Sequence, residues 1–178
     1  MSITNESIIK NEVIIEVAKK MAVAARTAPK ARGTDNLEII IIEGETIKQL
    51  SDKMLEIGTL HDIHFFLRDA KNILNANAIL VIGSRIKAQG LKYCGMCGFE
   101  SCEEKNQYPN TPCVFNTHDL GLAIGSAVSI AMENRIDNRV MYSIGKAVLD
   151  LQLLGSDIKV ALGIPLSALA KNPFFDRM

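Results

Sequence analysis

The chain has no tryptophan, and aromatic residues occupy only 5% of its 178 positions, whereas 48% are hydrophobic. We therefore expect a core built mostly from aliphatic side chains. An excess of one charge is also missing, because 20 basic residues balance 20 acidic ones. This balance provides no electrostatic footprint for nucleic acid or for an anionic membrane surface.

A long apolar run is missing from the N-terminal segment, MSITNESIIKNEVIIEV. Glu6, Lys10, Glu12 and Glu16 interrupt its apolar residues, unlike the pattern of a signal peptide or a membrane span. The sequence therefore predicts a cytoplasmic protein that does not enter a membrane. In that reducing compartment, clustered cysteines more often bind metal than form disulfides.

Cysteine is absent except in one short segment. Cys94, Cys97, Cys102 and Cys113 all lie in residues 93–115, YCGMCGFESCEEKNQYPNTPCVF, which we call the cysteine loop. A chain of this length can bury a sizeable core, so the thiols are not needed as staples. Four cysteines without histidine suit a [4Fe-4S] or [2Fe-2S] cluster, or a closed tetrahedral zinc site.

The spacing of the thiols favours iron–sulfur over zinc. Cys94 and Cys97 form one CxxC pair, and the glycines that follow them allow the backbone to curl around the sulfurs. Structural zinc sites are usually built from two such pairs, whereas here two separate cysteines follow the single pair. Structural zinc, a disulfide, a redox thiol and no bound metal remain the alternatives.

Hydrophobic periodicity predicts a mixture of helices and strands. Helices are expected at residues 8–26, 46–58, 64–78, 116–134 and 137–155, and strands at 37–44, 78–84 and 157–167. We interpret the chain as one α+β or α/β domain, residues 1–178, with the cysteine loop inserted after the second strand.

Some boundaries of these elements follow from capping chemistry. Thr46 and Asp137 are candidate N-caps, and Gly58 and Gly155 are candidate helix ends. The VMYSIG segment after Asp137 could instead be a short strand. The continuous apolarity of residues 37–44 predicts a strand covered on both faces.

The segment CGMCGFESC resembles the cysteine motif of [4Fe-4S] domains in corrinoid iron–sulfur proteins and electron-transport complex subunits. This resemblance implies that Cys94, Cys97, Cys102 and Cys113 all ligate one [4Fe-4S] cluster. The wider chain resembles a family of uncharacterised bacterial and archaeal proteins described as containing a ferredoxin domain. The segments that carry this likeness are ARTAPKARGTDN, DLGLAIGSAV, DNRVMYSIGKA and GIPLSALAKNPFFDR.

A more distant resemblance is to the nitroreductase-like flavoproteins, through AARTAPKARGTDNLEIIII and ALGIPLS. It implies an α+β fold with a central sheet flanked by helices, and a homodimer that binds FMN at its interface. On this resemblance, Arg26, Lys30 and Arg32 lie near the flavin, and Lys171 or Arg177 adds charge. A solvated loop is the alternative for Lys30 and Arg32.

Other polar residues allow weaker interpretations. His61 and His64 have a spacing that can bind metal, although surface histidines are commoner. His118 and Asp119 could tune a metal site, or Thr117 or Asp119 could cap a helix. No phosphate-binding loop, GxSxG elbow or HExxH motif is present.

The sequence as a whole predicts an iron–sulfur electron-transfer protein that binds one [4Fe-4S] cluster, with reductase activity left open. A zinc protein without redox turnover and an FMN-dependent oxidoreductase are the alternatives. The partner would be a redox protein or a small molecule. The small residues at 120–131 favour a homodimer, with close packing inside one chain as the alternative.

Overall fold

The protein folds into a four-stranded sheet between two layers of helices, as shown by a computed structural model that describes residues 3–177. The helices are α1 (Glu6–Thr27), α2 (Glu45–Leu60), α3 (His64–Ile73), α4 (Cys102–Asn106), α5 (Val114–Glu133) and α6 (Tyr142–Asp150). The strands are β1 (Leu37–Ile42), β2 (Ala78–Arg85), β3 (Asp137–Asn138) and β4 (Ile158–Ser167). Short 3₁₀ turns cover Ala31–Gly33 and Pro173–Phe175.

The strands lie in the order β1-β2-β4-β3, and every neighbouring pair is antiparallel. Strand β2 is central, and its Val81 lies between Ile40 of β1 and Gly163 of β4. The antiparallel sheet with helices on both faces confirms the α+β prediction over the α/β alternative.

The two faces of the sheet bury separate aliphatic cores. Leu80 and Ile82 of β2 pack with α1 and α5 on one face. Ile79 and Val81 point to the opposite face and pack with α2, α3 and α6. Successive side chains of a strand alternate between faces, so the continuous apolar run of β2 serves both cores.

Strand β1 differs from its prediction in how deeply it is buried. Its apolar side chains contact both cores, with Ile39 and Ile41 on one face and Ile40 on the other. These three residues are nevertheless only half-buried, and full burial is restricted to Leu37 and Ile42 at the strand's ends. The reason is its edge position, since it pairs with β2 alone.

Helix α2 corrects two predicted boundaries. Its N-cap is Gly44 at φ 59°, so Thr46 lies inside the first turn and is not the cap. The helix also continues past Gly58 to Leu60. Gly58 is instead a point of close packing on α3, where a Cβ atom would lie 2.7 Å from the Leu67 side chain.

Helix α6 is shorter than the predicted segment. It begins at Tyr142 after the N-cap Met141, so the alternative of a strand over VMYSIG is wrong apart from one bridge between Met141 and Gly163. Asp137 belongs to β3 and accepts a hydrogen bond from the Leu169 N–H at 3.0 Å. The proposed capping role of Asp137 is therefore wrong.

Two glycines let α6 lie directly on β4. A Cβ atom at Gly145 would be 1.8 Å from the Ala161 carbonyl oxygen, and one at Gly163 would be 2.1 Å from the Ile144 side chain. Gly155, the predicted end of this helix, lies beyond it in a turn at φ 88°. Among the described residues, no helix has the length and apolarity needed to cross a membrane.

Candidate metal site

The four cysteines line one cavity of about 360 Å³ between residues 89–103 and the start of α5. All four are free thiols, with Cys113 buried and the others half-buried. Phe99 and Phe115 form part of the same wall. The fold thus brings all the predicted metal ligands to a common space, although Cys113 is separated from Cys94 by α4.

The cavity is not a closed cage of ligands. Within residues 3–177, no three His, Cys, Asp or Glu side chains are grouped so that they could hold a metal ion. The assignment of Cys94, Cys97, Cys102 and Cys113 as metal ligands therefore stays a prediction. Their donor chemistry fits iron–sulfur or zinc equally well, since both bind four thiolates.

Cys113 occupies the N-cap of α5. Its backbone N–H donates to Asn116 Oδ1 at 3.0 Å, which is the reciprocal half of a capping box. The N-terminus of this long helix carries a partial positive charge, which stabilises negatively charged groups beside it. The helix thus supplies electrostatic support for a sulfur ligand at this position.

Asn116 also joins the chain after β2 to α5. Its Oδ1 accepts from the Lys87 N–H at 3.1 Å, and its Nδ2 donates to the Lys87 carbonyl at 3.0 Å. The side chain is only 1% exposed. The sequence did not predict a role for Asn116, because cysteine is not a usual N-cap residue and an amide three positions later is a signal only beside a recognised cap.

The glycines of the cysteine loop adopt the conformation that the sequence predicted. Gly95 has φ 63° and Gly98 has φ 87°, a region that other residues rarely adopt. The Gly98 N–H donates to the Gly95 carbonyl at 3.0 Å, so the chain turns tightly beside Cys97. Cys102 then begins α4, with its Sγ 4.0 Å from the Leu91 carbonyl oxygen.

Gln89 is a second residue that the sequence analysis missed. It lines the cysteine cavity and is only 7% exposed. Its Nε2 has no hydrogen-bond partner within residues 3–177, although nearly all buried polar groups in proteins are paired. One of the residues that line this cavity thus carries a buried amide donor without an acceptor.

Arg26, one of the predicted flavin-binding cations, pairs with Asp35. Its guanidinium donates to Asp35 Oδ2 at 2.5 Å and to the Leu37 carbonyl at 3.0 Å. Burial pushes the pKa of Asp35 upward, but the hydrogen bonds from Arg26 and the Leu37 N–H outweigh it, so the pKa is lowered overall. These contacts hold the end of α1 against the start of β1.

Lys30 and Arg32 have different surroundings. The Lys30 ammonium donates to the carbonyls of Ala25, Arg26 and Ala28 at 2.5–2.8 Å, and its pKa is lowered by burial. Arg32, at φ 57°, donates to the Gln89 carbonyl at 2.9 Å. Arg32 therefore contacts the wall of the cysteine cavity, whereas Lys30 closes the end of α1. Flavin binding by these residues stays a prediction.

The other charged candidates occupy separate places. Lys171 pairs with Asp176, and Arg177 lines a groove with His64 beside α3. Flavin binding by Lys171 or Arg177 also stays a prediction. His61 is the C-cap of α2.

Asp119 joins α5 to the loop that follows α1. Both of its carboxylate oxygens accept from the Ala31 N–H at 3.1 Å, and the exposed His118 lies 3.7 Å away. Since Cys113 is the N-cap of α5, the alternative that Thr117 or Asp119 caps that helix is wrong. Asp119 instead anchors the segment that carries Lys30 and Arg32.

The fold is that of the nitroreductase-like flavoproteins, as comparison with solved structures shows. Nitroreductase CinD from Lactococcus lactis, solved with nicotinic acid, is 14% identical at a TM-score of 0.62, over 96% of this chain and 82% of its own. A nitroreductase family protein from Clostridium novyi NT is 13% identical at a TM-score of 0.60, over 90% of this chain and 76% of its own. A Desulfitobacterium hafniense DCB-2 nitroreductase with bound FMN is 14% identical at a TM-score of 0.59, over 88% of this chain and 78% of its own.

Sequence comparison defines the family within this fold. An "Uncharacterized protein" from Archaeoglobus fulgidus is 41% identical over 180 residues, which cover 97% of this chain and 96% of the relative. Residues 110–177 match the profile of DUF2148, described as "Uncharacterized protein containing a ferredoxin domain". The chain belongs to this family. The matched residues include Cys113 but not the other three cysteines.

Proposed function

We propose that the protein is an iron–sulfur electron-transfer protein that binds one [4Fe-4S] cluster through Cys94, Cys97, Cys102 and Cys113. The observation that carries the proposal is that these four free thiols line a single cavity. The family's description as containing a ferredoxin domain supports it. When bound, such a cluster would accept one electron from a reduced electron-carrier protein and pass it to an oxidised acceptor, with no bond made or broken.

The residues around the cavity support an anionic, sulfur-ligated group. The N-terminus of α5 places a partial positive charge beside Cys113, and the glycines beside Cys94 and Cys97 allow the backbone to turn around these residues. The Arg32 guanidinium, bonded to the Gln89 carbonyl, places a positive charge behind the cavity wall. A structural zinc site uses the same four thiolates and is the alternative without redox turnover.

The decisive experiment is anaerobic purification, followed by measurement of the iron, sulfide and zinc content and of the visible and EPR spectra. We expect four irons and four sulfides per chain, as a [4Fe-4S] cluster requires. A colourless protein with one zinc per chain and no iron would contradict the proposal.

Cys113→Ser is the sharpest variant because serine is itself a preferred N-cap. The metal-free variant should unfold within about 1 kcal/mol of the wild type, while the cluster is lost or its EPR spectrum changes. Thr111→Ser is a matched control in the same loop and should retain the wild-type spectrum. A complete, unchanged cluster in Cys113→Ser would remove Cys113 from the site.

A second candidate is an FMN-dependent oxidoreductase in which the cysteine site exchanges electrons with a flavin. Its support is the likeness to nitroreductases, one of which was solved with FMN. Arg26, Lys30 and Arg32 are the residues we propose for contact with the flavin. Reconstitution with FMN, followed by denaturation and fluorescence of the released compound, tests this candidate. Release of no flavin would count against it.

We also propose that the protein is a cytoplasmic homodimer. Gly121 and Gly125 lie in α5 with open space beside their Cα atoms, and Ile8, Val13 and Val23 are exposed along the neighbouring α1. These exposed positions lie on two helices that pack against each other, and they support an interface with a second copy of the chain. Light scattering after size exclusion should give twice the mass of 19.5 kDa, and a monomer would contradict the proposal.

A further inference from the structure

Gln89 is a buried amide on the wall of the cysteine cavity. We infer that its Nε2–H donates a hydrogen bond to a sulfur of the metal site and thereby raises the reduction potential of that site. This inference rests on the proposed iron–sulfur function. It assigns a role to a residue that lies five positions before the first cysteine and is not itself a ligand.

The unpaired state of Gln89 Nε2 is the first argument. A buried N–H without an acceptor costs free energy, and such groups are rare in folded proteins. Gln89 is 7% exposed, and its Nε2 is unpartnered within the described part of the chain. All four cysteines are among the residues that line the same cavity as Gln89, and thiolates and metal-bound sulfurs accept N–H hydrogen bonds.

Other polar residues of the same wall do not share this property. Lys92, Glu100 and Glu103 also line the cavity, but all three are exposed and can be hydrated. Water therefore satisfies their charged groups whether or not metal is bound. Burial singles out Gln89 as the side chain whose hydrogen bonding depends on what the cavity holds.

The backbone around Gln89 is fixed independently of the cysteines. The Arg32 guanidinium donates to the Gln89 carbonyl at 2.9 Å. Two residues earlier, both backbone groups of Lys87 bond to the Asn116 side chain. These contacts hold the backbone of Gln89 in place, and burial restricts the motion of its side chain.

The expected consequence is on the redox equilibrium. Reduction adds negative charge to the sulfurs, so a donated hydrogen bond stabilises the reduced form more than the oxidised form. Loss of one donor should shift the ratio of the two forms about tenfold toward the oxidised form, which is about 59 mV for one electron. The shift should make the midpoint potential more negative.

The test compares Gln89→Leu with the wild type in anaerobic redox titrations followed by EPR. Gln107→Leu is the matched control, because it makes the same change at an exposed position just after α4 in the cysteine loop. We expect a midpoint about 59 mV lower for Gln89→Leu and an unchanged midpoint for the control. Gln89→Glu, which replaces the donor with a carboxylate, should lower the midpoint at least as far.

A second measurement separates this role from a structural one. In the metal-free protein, Gln89→Leu removes no protein hydrogen bond of Nε2 and should unfold at or above the wild-type temperature. A clear destabilisation of the metal-free variant would overturn the inference. Equal midpoint potentials for the wild type and both Gln89 variants would also overturn the inference, but they would not contradict the iron–sulfur function. If the wild type binds no iron, the proposed function fails first and the inference with it.

Discussion

Strand β2 and the cysteine loop follow one another in the chain but are held in place by different forces. Seven of the eight residues of β2 are buried, and the strand is hydrogen-bonded to β1 on one side and β4 on the other. Its position is therefore decided by aliphatic burial on two faces and by backbone pairing on two edges.

The cysteine loop has little aliphatic burial and little backbone pairing. It includes one short helix, α4, and most of its residues are exposed or half-buried. Its attachments to the body are the capping of α5 by Cys113 and the bonds that Asn116 and Arg32 make just before it. The difference teaches that the sheet and its helices can fold without metal, while the loop has few internal contacts that order the thiols.

The largest expected effect comes from breaking the close packing of the body. Gly145→Ala places a methyl group 1.8 Å from the Ala161 carbonyl, so α6 must move away from β4. We expect a loss of about 3 kcal/mol in the free energy of unfolding, measured by chemical denaturation. Asp52→Glu is the control, since Asp52 is exposed on α2 and glutamate is the better helix former. Equal stability of Gly145→Ala and wild type would refute this account of the body.

An intermediate effect is expected at the junction between body and loop. Asn116→Ala removes three hydrogen bonds, one to Cys113 and two to Lys87, and should cost about 2 kcal/mol. Limited proteolysis should cut residues 86–113 faster in this variant. Asn116→Asp keeps the two acceptor bonds and should lose less. Unchanged cleavage of the loop in Asn116→Ala would show that other contacts hold it.

The smallest effect is expected from a half-exposed ion pair on the body. The pKa of Asp35 is lowered in the folded protein, so its contribution to stability is present above the unfolded-state value of about 3.9 and is lost as the pH falls through the lower folded value. Asp35→Asn should therefore be less stable at pH 7, by less than about 1 kcal/mol, and the difference should disappear in acid.

Thermal unfolding across this pH range measures the effect of Asp35→Asn. Asp52→Asn, at an exposed position of α2, is the charge-matched control and should follow the wild type. A difference between wild type and Asp35→Asn that stays constant down to strong acid would contradict the role of this pair.

The long elements could be predicted because their patterns are local. The predicted helix at 8–26 is α1 to within two residues at each end, and the predicted strand at 78–84 is β2 to within one. Boundaries fixed by distant contacts were not predictable in this way. Thr46 looked like a cap, but the chain turns at Gly44, and Asp137 was placed in β3 by pairing with Ser167.

The residues of the candidate site also divide into those that the sequence predicts and those that it does not. The four cysteines and the curling glycines could be identified from spacing, because the loop is short and its chemistry is local. Gln89 and Asn116 could not, because their importance arises from burial and from contacts across many residues of sequence. The resemblance to flavoproteins places Arg32 near a flavin, whereas only the folded chain shows its hydrogen bond to the Gln89 carbonyl.

The sequence by itself determined an aliphatic, two-sided sheet with flanking helices and a single place where four thiols gather. Periodicity and cysteine spacing suffice for this, because each is a property of neighbouring residues. Tertiary structure alone decided that β4, from near the end of the chain, pairs with β2, and that Asn116 and Arg32 fix the segment before the cysteine loop. The physical reason is that strand order and buried hydrogen bonds depend on which distant segments exclude water together, which no local pattern specifies.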